Sequence, residues 1–374
     1  MKKRVAFLIN QFTTVQSGPG RFTEYLKRMQ WDEMEMIFIS HQVVTGTELE
    51  KKVSLPAWIR LMPLAWIFRS FYYSKTLKKL DRERPFDAIL TVDFSLGLFI
   101  STSDLRNRLY SMVNDDNYLR IFEKGEHTKG MSTDRLWARR LGYFLESFVS
   151  RRAKMIIANS LYTKGLILSI YKIPSDRVFL LYKAVDLSLF SPRAYQPTPP
   201  VRYLFVKNDW RRGGLDLIIK AFSRVTFGER IHFTVAGISP EFQDIIREIA
   251  EKEGFKGGLK ITGLLNREEL KKYLEGTDVF ISMSRQEALG VACLEAMASG
   301  VPVIASNAGG LKEVLDFGNA GFMIENESVD DLVAKLEEIF KNPELMEAKI
   351  ANGLLQAEKF SVDRLRQNIS RLFS

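Results

Sequence analysis

Short apolar runs alternate with longer amphipathic runs along almost the whole chain. The short runs are rich in β-branched and aliphatic residues, as buried strands are, and the longer runs repeat with the period of a helix. Strands are predicted at residues 5–10, 36–40, 88–92, 109–113, 155–158, 178–181, 202–206, 232–236, 259–262, 279–283, 301–305 and 322–324. Helices are predicted at residues 21–30, 136–152, 161–171, 215–223, 241–252, 268–275, 290–299, 311–315 and 329–342. This alternation predicts an α/β fold of doubly wound parallel sheets.

The strongest boundary signal is the segment 191–200, which contains four prolines. Proline cannot continue a helix or a central strand, so this segment is predicted to be an extended linker. It separates two Rossmann-like domains, 1–190 and 200–358, and a C-terminal helix at about 360–374 is expected to dock back on the first. Two such domains are expected to face each other across a cleft, with ligands at the carboxyl ends of the strands.

Charge and composition narrow the function classes. The 374 residues carry a formal net charge of +9, one cysteine and three histidines. Excess positive charge is typical of proteins that bind nucleic acid, a phosphorylated small molecule or anionic lipid. Alternatively, it reflects extra surface lysine and arginine residues that keep the protein in solution. The cysteine and histidine counts exclude a disulfide framework within the chain and a zinc site of several thiolates. No apolar run approaches the ~18 residues of a membrane span, and the short run after the basic start is interpreted as a strand, so a cytoplasmic location is predicted.

A glycine-containing turn follows the first predicted strand. Gly18 and Gly20 allow close approach of a ligand to the backbone, and the following helix N-terminus favours an anion. A purely structural turn explains the same residues. Thr23 replaces the third glycine of the dinucleotide fingerprint, and the second strand ends without an acidic residue, which disfavours a hydride-transfer enzyme.

The most informative segment is 284–303, where a strand leads into a loop that holds Glu287 and a helix that carries Glu295. Eight helical positions correspond to about 12 Å, which suits carboxylates that accept hydrogen bonds from hydroxyls at the two ends of a sugar nucleotide. The amides that follow Gly290 form a helix N-terminus suited to phosphate. Glu295 lies in an apolar run, where an ionised side chain needs a partner.

This segment resembles the signature of retaining glycosyltransferases with the GT-B fold, in particular glycosyltransferase family 4. The shared features are two glutamates with seven residues between them, a helix end of small residues and a Val-Pro-Val strand. The resemblance covers nearly the whole chain. The segments 156–160, 185–192, 233–237, 261–264 and 306–313 resemble other family motifs in the expected order.

The resemblance implies roles for individual residues. Glu295 would hold the ribose of a nucleotide sugar, and Glu287 would contact the transferred sugar. Other substrate-binding positions implied by the resemblance are Gly263, Leu264, Ala288, Leu289, Gly290 and Val291.

The loop after the strand at 202–206 departs from the family pattern. Asn208 and Gly213 stand where the family usually has the arginine and lysine that neutralise the diphosphate leaving group. Lys207, Arg211 and Arg212 lie next to these two positions. We expect Arg212, or as second choice Arg211, to supply the positive charge that neutralises the diphosphate. Alternatively, these residues are surface charges on a loop. Catalysis depends on some basic side chain reaching the phosphates.

A second departure lies at the end of the strand at 109–113. Asn114 and Asp115 fit the place where the family often has His-Asp. Asn114 or Asp115 would bind the sugar or orient the acceptor; helix capping explains an aspartate there equally well. Enzymes of this fold typically need no metal, and no metal site is predicted.

Residues 51–80 contain seven basic and no acidic side chains, interleaved with Trp58, Trp66, Phe68, Phe71, Tyr72 and Tyr73. Such a segment suits a membrane interface with anionic lipid, and a helix at 135–154 adds further basic residues. Single-stranded nucleic acid would fit the same surface, but no other feature supports a nucleic-acid partner. Alternatively, the aromatic side chains belong to the core.

The sequence therefore predicts a retaining hexosyltransferase of cell-surface polysaccharide or lipopolysaccharide synthesis. Its donor would be a nucleotide diphosphate sugar, with UDP favoured over GDP, and its acceptor a glycan or lipid-linked glycan. No permanently bound cofactor is predicted, and the protein would be cytoplasmic and peripheral to the membrane. The alternatives are a degenerate protein of this fold that binds nucleotide or glycan without turnover, and a nucleotide-sugar epimerase, which the spaced glutamates disfavour.

Overall fold

The structure is a computed structural model that describes residues 2–10, 18–42, 47–61, 65–114, 133–192, 194–195 and 200–374. The chain divides into two compact units. The first unit comprises Met1–Tyr182 and Leu365–Ser374, and the second comprises Lys183–Arg364. The chain thus changes units before residue 190, and its last residues belong to the first unit.

The first unit is built on a seven-stranded parallel sheet with the order β3-β2-β1-β4-β5-β6-β7. Its strands are β1 (Lys3–Leu8), β2 (Met34–Ser40), β3 (Glu50–Lys52), β4 (Ala88–Thr91), β5 (Leu109–Val113), β6 (Met155–Ala158) and β7 (Val178–Leu180). Before the chain enters the second unit, the helices of the first unit are α1 (Gly18–Arg28), α2 (Ala65–Glu83), α3 (Phe94–Ser101), α4 (Thr133–Arg152) and α5 (Leu161–Leu166). Helix α5 is continued by a π-helical turn at Ile167–Tyr171. The strand order reverses between β1 and β4, which is where such sheets bind ligands.

The second unit has a six-stranded parallel sheet with the order β10-β9-β8-β11-β12-β13. Its strands are β8 (Val201–Val206), β9 (Ile231–Ala236), β10 (Gly258–Ile261), β11 (Val279–Ser282), β12 (Val303–Ser306) and β13 (Phe322–Ile324). Its helices are α6 (Leu215–Phe222), α7 (Pro240–Lys252), α8 (Arg267–Glu275), α9 (Val291–Ala298), α10 (Leu311–Val314), α11 (Val329–Lys341) and α12 (Leu345–Lys359). Here the order reverses between β8 and β11. The predicted α/β fold of two Rossmann-like parallel sheets is confirmed.

The final helix, α13 (Val362–Phe373), carries the chain back to the first unit. The ring of Phe373 packs at 5.0 Å, nearly edge-on, against that of Tyr110 in β5. The ammonium of Lys3 in β1 donates to the carbonyl of Phe373 at 2.5 Å. Two strands of the first sheet therefore hold the end of the chain.

Two helices of the first unit were not predicted. Six of the eight residues of α3 are buried, so its sequence shows no polar face from which a helical period could be recognised. Its start is fixed by Asp93, whose side chain accepts hydrogen bonds from the amides of Ser95 and Leu96. In α2 the aromatic residues lie on both the exposed and the buried side, which obscures the same pattern.

Candidate functional site

The loops after β8 and β11 meet at the carboxyl edge of the second sheet, at the point where the strand order reverses. Lys207 directly follows β8, and Glu287 lies in the loop between β11 and α9. The Lys207 ammonium donates to Oε2 of Glu287 at 2.6 Å and to Oγ of Ser284 at 2.9 Å. Both charged side chains are largely buried, with 17% of Lys207 and 24% of Glu287 exposed. Both residues are candidate site residues by sequence, but no sequence pattern indicated that they pair.

Glu287 is held in its ionised form. Burial raises the pKa of this carboxyl, but the charge and hydrogen bond of Lys207 and the charges of Arg212 and Lys183 lower it more strongly. The net result is a pKa below the ordinary value of 4.5. An ionised carboxylate accepts hydrogen bonds only, so Glu287 is suited to bind hydroxyl groups rather than to donate a proton.

Arg285, which was not predicted as a site residue, joins the two loops. Its guanidinium makes a bidentate pair with Asp216 of α6, with distances of 2.9 and 2.7 Å. The same residue donates from its amide to the carbonyl of Arg212 at 2.9 Å and from its guanidinium to that of Arg211 at 2.5 Å. Bidentate pairs fix geometry as well as charge, so Arg285 positions the basic loop beside the Glu287 loop. Its partner is 69 positions away, beyond the reach of a local pattern.

Gly213 lies where a side chain has no room. A Cβ atom there would stand 2.5 Å from the Phe205 ring and 3.0 Å from Cδ of Lys207. The stem of Lys207 thus runs through the space that a side chain at 213 would enter. Asn208, the other unusual position, is exposed, and its side chain accepts a hydrogen bond from the amide of Asp209. Lys207, at the start of this loop, pairs directly with Glu287.

The two arginines of this loop take different places. Arg212 is half-buried and donates from Nε to the carbonyl of Gln286 at 3.2 Å. Arg211 is exposed, and its guanidinium lies 4.5 Å from the centre of the Trp210 ring. Gln286 is buried, and its Nε2 has no hydrogen-bond partner among the described residues. Of the two arginines, Arg212 is the one that acts on Glu287, whose pKa it lowers.

Helix α9 places Glu295 inside the second unit. Gly290 precedes the helix with a φ of +102°, and a Cβ atom there would meet Leu311 at 2.5 Å, so only glycine fits. Ala288, Leu289 and Glu295 are buried, with Glu295 only 3% exposed, and Val291 is half-buried. The first-turn amides of α9 thus follow directly after the Glu287 loop.

The thiol of Cys293 lies in the same electrostatic environment. Burial, followed by the negative charges of Glu287 and Glu295, raises its pKa far above the ordinary value, and the charge of Lys207 acts in the opposite direction. A thiol with so high a pKa is protonated at neutral pH and is not a nucleophile.

Gly263 and Leu264 follow β10 at the same edge of the sheet. The carbonyl of Gly263 accepts a hydrogen bond of 3.0 Å from the amide of Gly237, which ties the loops after β9 and β10 together. The Leu264 side chain is 57% exposed. These two residues are thus separated from Lys207 and Glu287 along the edge by the loop after β9.

The first unit brings a second group of polar residues to the carboxyl edge of its sheet. Asn114 follows β5 and donates to the carbonyl of Val92, while its own carbonyl accepts from Asn159 at 2.7 Å. Asp93 follows β4 and accepts from Nδ2 of Asn10 at 3.2 Å. Burial, opposed by hydrogen bonds from Ser95 and Leu96, raises the pKa of Asp93.

The other site residues predicted for the first unit are Gly18, Gly20 and Asp115. Gly18 and Gly20 lie in the first turn of α1. Asp115 lies outside the described residues. Asp93, Asn10 and Asn159 were not predicted as site residues, because helix capping explains a polar residue at the end of an apolar strand equally well.

No metal site is recognisable in the described part of the chain, where no three His, Cys, Asp or Glu side chains are grouped to hold an ion. Among the same residues, no helix is long and apolar enough to cross a membrane.

Comparison with known proteins finds a family match within the second unit. Residues 192–356 match the family of glycosyl transferases group 1. O-antigen chain mannosyltransferase B of Escherichia coli is 26% identical over 221 residues, which cover 56% of this chain and 57% of the relative. The chain spans little more than half the length of the curated relatives that it matches.

Solved structures extend the likeness to the whole fold. Sucrose-phosphate synthase from Thermosynechococcus elongatus superposes with a TM-score of 0.77 at 16% identity, covering 100% of this chain and 98% of that one. The Anabaena protein HepE in complex with UDP-glucose gives a TM-score of 0.73 at 14% identity, covering 99% and 98%. The chain has the fold of GT-B glycosyltransferases, and residues 192–356 of its second unit are similar to glycosyl transferases group 1.

Proposed function

We propose that this protein is a retaining hexosyltransferase that uses a nucleotide diphosphate sugar. Its donor is a UDP-sugar, with a GDP-sugar as the alternative, and its acceptor is a glycan or lipid-linked glycan of a cell-surface polysaccharide or lipopolysaccharide. The match of residues 192–356 to glycosyl transferases group 1 and the likeness to an O-antigen chain mannosyltransferase support this assignment. The single observation that carries it is the buried Lys207–Glu287 pair beside the start of α9.

The donor would bind along the carboxyl edge of the second sheet. Gly263 and Leu264 would line the base, and Glu295 would accept hydrogen bonds from the ribose hydroxyls. The first-turn amides of α9 and the cations Lys207 and Arg212 would receive the diphosphate, since helix N-termini and basic side chains both favour phosphate.

Diphosphate binding would change the partner of Lys207. The ammonium now donates to Glu287 and Ser284, and phosphate oxygens would compete for the same three protons. Once released, the ionised carboxylate of Glu287 would accept hydrogen bonds from the hydroxyls of the transferred sugar. Transfer of Lys207 from Glu287 to the diphosphate would thus have two effects. It would stabilise the charge of the leaving group, and it would free Glu287 to orient the sugar.

The reaction would break the bond between the anomeric carbon and the diphosphate oxygen and form a bond from that carbon to an acceptor hydroxyl oxygen. The hydroxyl proton would leave with the diphosphate or to solvent. Lys207 and Arg212 would stabilise the negative charge that develops on the diphosphate, which is usually a large term in such reactions. Asn114, Asp115 and the neighbouring Asp93 are the proposed acceptor-side residues of the first unit.

Thermal unfolding against UDP, GDP, ADP and their sugar conjugates tests the donor assignment. A nucleotide present at about 100 times its dissociation constant adds about 2.7 kcal/mol to the free energy of unfolding, which raises Tm by a few degrees. Product analysis with the stabilising donor then separates the activities, because a transferase yields a new glycoside with the donor's anomeric configuration. An isomerised donor would indicate an epimerase, and binding without any product would indicate the degenerate protein that Asn208 and Gly213 first suggested.

A further inference from the structure

Helices α2 and α4 of the first unit expose two stripes of identical spacing. The stripe on α2 consists of Phe68, Phe71, Lys75, Lys79 and Arg82, and the stripe on α4 consists of Trp137, Arg140, Phe144, Phe148 and Arg151. All ten side chains are exposed. Successive members are three or four positions apart, so each stripe follows one face of its helix for about 21 Å. Each stripe holds large aromatic and basic residues and no carboxylate.

The two stripes belong to one layer of helices, because α3 packs against both α2 and α4. Phe71 meets the ring of Phe99 in α3 at 5.7 Å, and Nε of Arg152 donates to the carbonyl of Ser101 at the end of α3 at 2.9 Å. Strands β4 and β5 contact the inner side of α3. The exposed stripes therefore belong to the outer side of this layer.

The aromatic exposure is unusual in its amount and its concentration. Trp137 is 69% exposed, Phe144 60% and Phe71 49%. Trp58 is 48% exposed and meets Phe68 edge-on at 5.7 Å, which extends the α2 stripe. Clustered exposure of large aromatic residues marks an interaction site rather than ordinary surface.

Basic residues also line a groove of about 480 Å³ between α2 and α3. Lys75, Lys78, Lys79 and Arg82 line it on the α2 side, and Thr102 and Ser103 line it after α3. Among the described residues, no carboxylate contributes to its lining. The groove thus offers ammonium, guanidinium and hydroxyl donors to an anionic group, beside the aromatic part of the stripe.

We propose that this face, defined by the two stripes and the groove between α2 and α3, docks on the surface of a bilayer that contains anionic lipid. Aromatic side chains enter the boundary between headgroups and acyl chains, and the arginines and lysines contact anionic headgroups. The arrangement favours a bilayer over a protein partner because cations and aromatic rings repeat along both stripes, whereas the exposed Glu83 is the last residue of α2. The inference lies outside the proposed donor site, in the other unit of the chain.

Sedimentation of the full chain with vesicles tests the proposal. We expect binding to phosphatidylcholine vesicles that contain phosphatidylglycerol, weaker binding to pure phosphatidylcholine, and a loss of binding as salt rises. Lys75→Glu with Lys79→Glu should weaken binding on the order of 25-fold or more, since each basic residue near such a surface contributes about fivefold. Phe144→Ser with Phe148→Ser should reduce binding even at low salt.

Matched controls lie in the second unit. Leu355→Ser changes a side chain that is 60% exposed, and Lys256→Glu with Lys341→Glu reverses two exposed charges. These variants should bind vesicles like the parent chain. The Tm of every variant is measured first, so that a folding defect is recognised. The increase of Tm with nucleotide is measured as well, so that a failure of the donor assignment is distinguished from a failure of the membrane proposal.

Three outcomes would overturn the proposal. One is a parent chain that ignores anionic vesicles at low salt, and another is binding that the stripe variants leave intact. The third is that the stripes bind a different partner. In that case the stripe variants would abolish dimerisation in light scattering, or binding of single-stranded RNA, while the parent chain binds no lipid.

Discussion

The ammonium of Lys207 lies 2.6 Å from Oε2 of Glu287, although the two residues are 80 positions apart in the chain. Both are held at the place where the order of the second sheet reverses, one by β8 and the other by the loop after β11. A cation and a carboxylate that are each largely buried stabilise each other, and removal of one leaves the other's charge uncompensated. The pair therefore connects the stability of the second unit with the proposed chemistry.

Replacement of Lys207 by methionine should lower the rate of glycosyl transfer. The ammonium donates directly to Glu287, and loss of one charge-stabilising group in an active site typically costs about 100- to 1,000-fold in kcat. Steady-state kinetics with the identified donor measure the change. Lys256→Met, which removes an exposed lysine of the same unit, is the control and should leave kcat unchanged. A Lys207→Met enzyme with the parent's kcat would exclude Lys207 from leaving-group stabilisation.

The free energy of unfolding should fall in acid partly because of Glu287. Its pKa lies below 4.5 in the folded chain, so the folded state favours the ionised form. The stabilisation is then complete above the pKa of the unfolded chain and is lost as pH falls through the folded-state pKa. Urea unfolding at a series of pH values should show a shallower acid decline for Glu287→Gln. The same decline in parent and variant would mean that Glu287 has equal pKa values in both states.

A lysine at position 213, which the resemblance to glycosyltransferase family 4 led us to expect, should not fit this chain. A Cβ atom at Gly213 would stand 2.5 Å from the Phe205 ring, so Gly213→Ala is expected to cost about 1–3 kcal/mol of stability. Gly213→Lys should destabilise at least as much and should not raise activity, because Lys207 already occupies that space. Gly165→Ala is the control, since a Cβ there meets nothing within 4 Å. Gly213→Lys with parent stability and faster turnover would contradict this account.

Local sequence patterns were sufficient to predict most of the strands. Strands β5 and β6 have the predicted bounds, because each is a short, mainly apolar run between polar residues, as buried parallel strands are. Helix α3 was missed because burial removes its polar face. The partner of Lys207 was missed as well, since an ion pair across 80 positions depends on which strands become neighbours, and no local pattern records that.

Glu295→Gln should weaken nucleotide binding through the ribose. The side chain is only 3% exposed, and glutamine keeps its size while removing the charge that ribose hydroxyls would donate to. We expect a 10- to 100-fold higher Kd for the nucleoside diphosphate, on the order of the 1.5–3 kcal/mol of a charged hydrogen bond. Calorimetric titration with the nucleotide and with its 2′-deoxy and 3′-deoxy forms measures the effect.

The deoxy nucleotides distinguish a direct contact from a general loosening of α9. If Glu295 holds a ribose hydroxyl, the parent chain should lose affinity for one deoxy form, whereas Glu295→Gln should bind that form and the full nucleotide nearly equally. Glu338→Gln removes a partly exposed carboxylate of α11 and should retain the parent's preference for the full nucleotide. Equal losses of affinity for every form would instead indicate that the substitution disturbs the helix, because a double-mutant cycle reports coupling only between groups that interact.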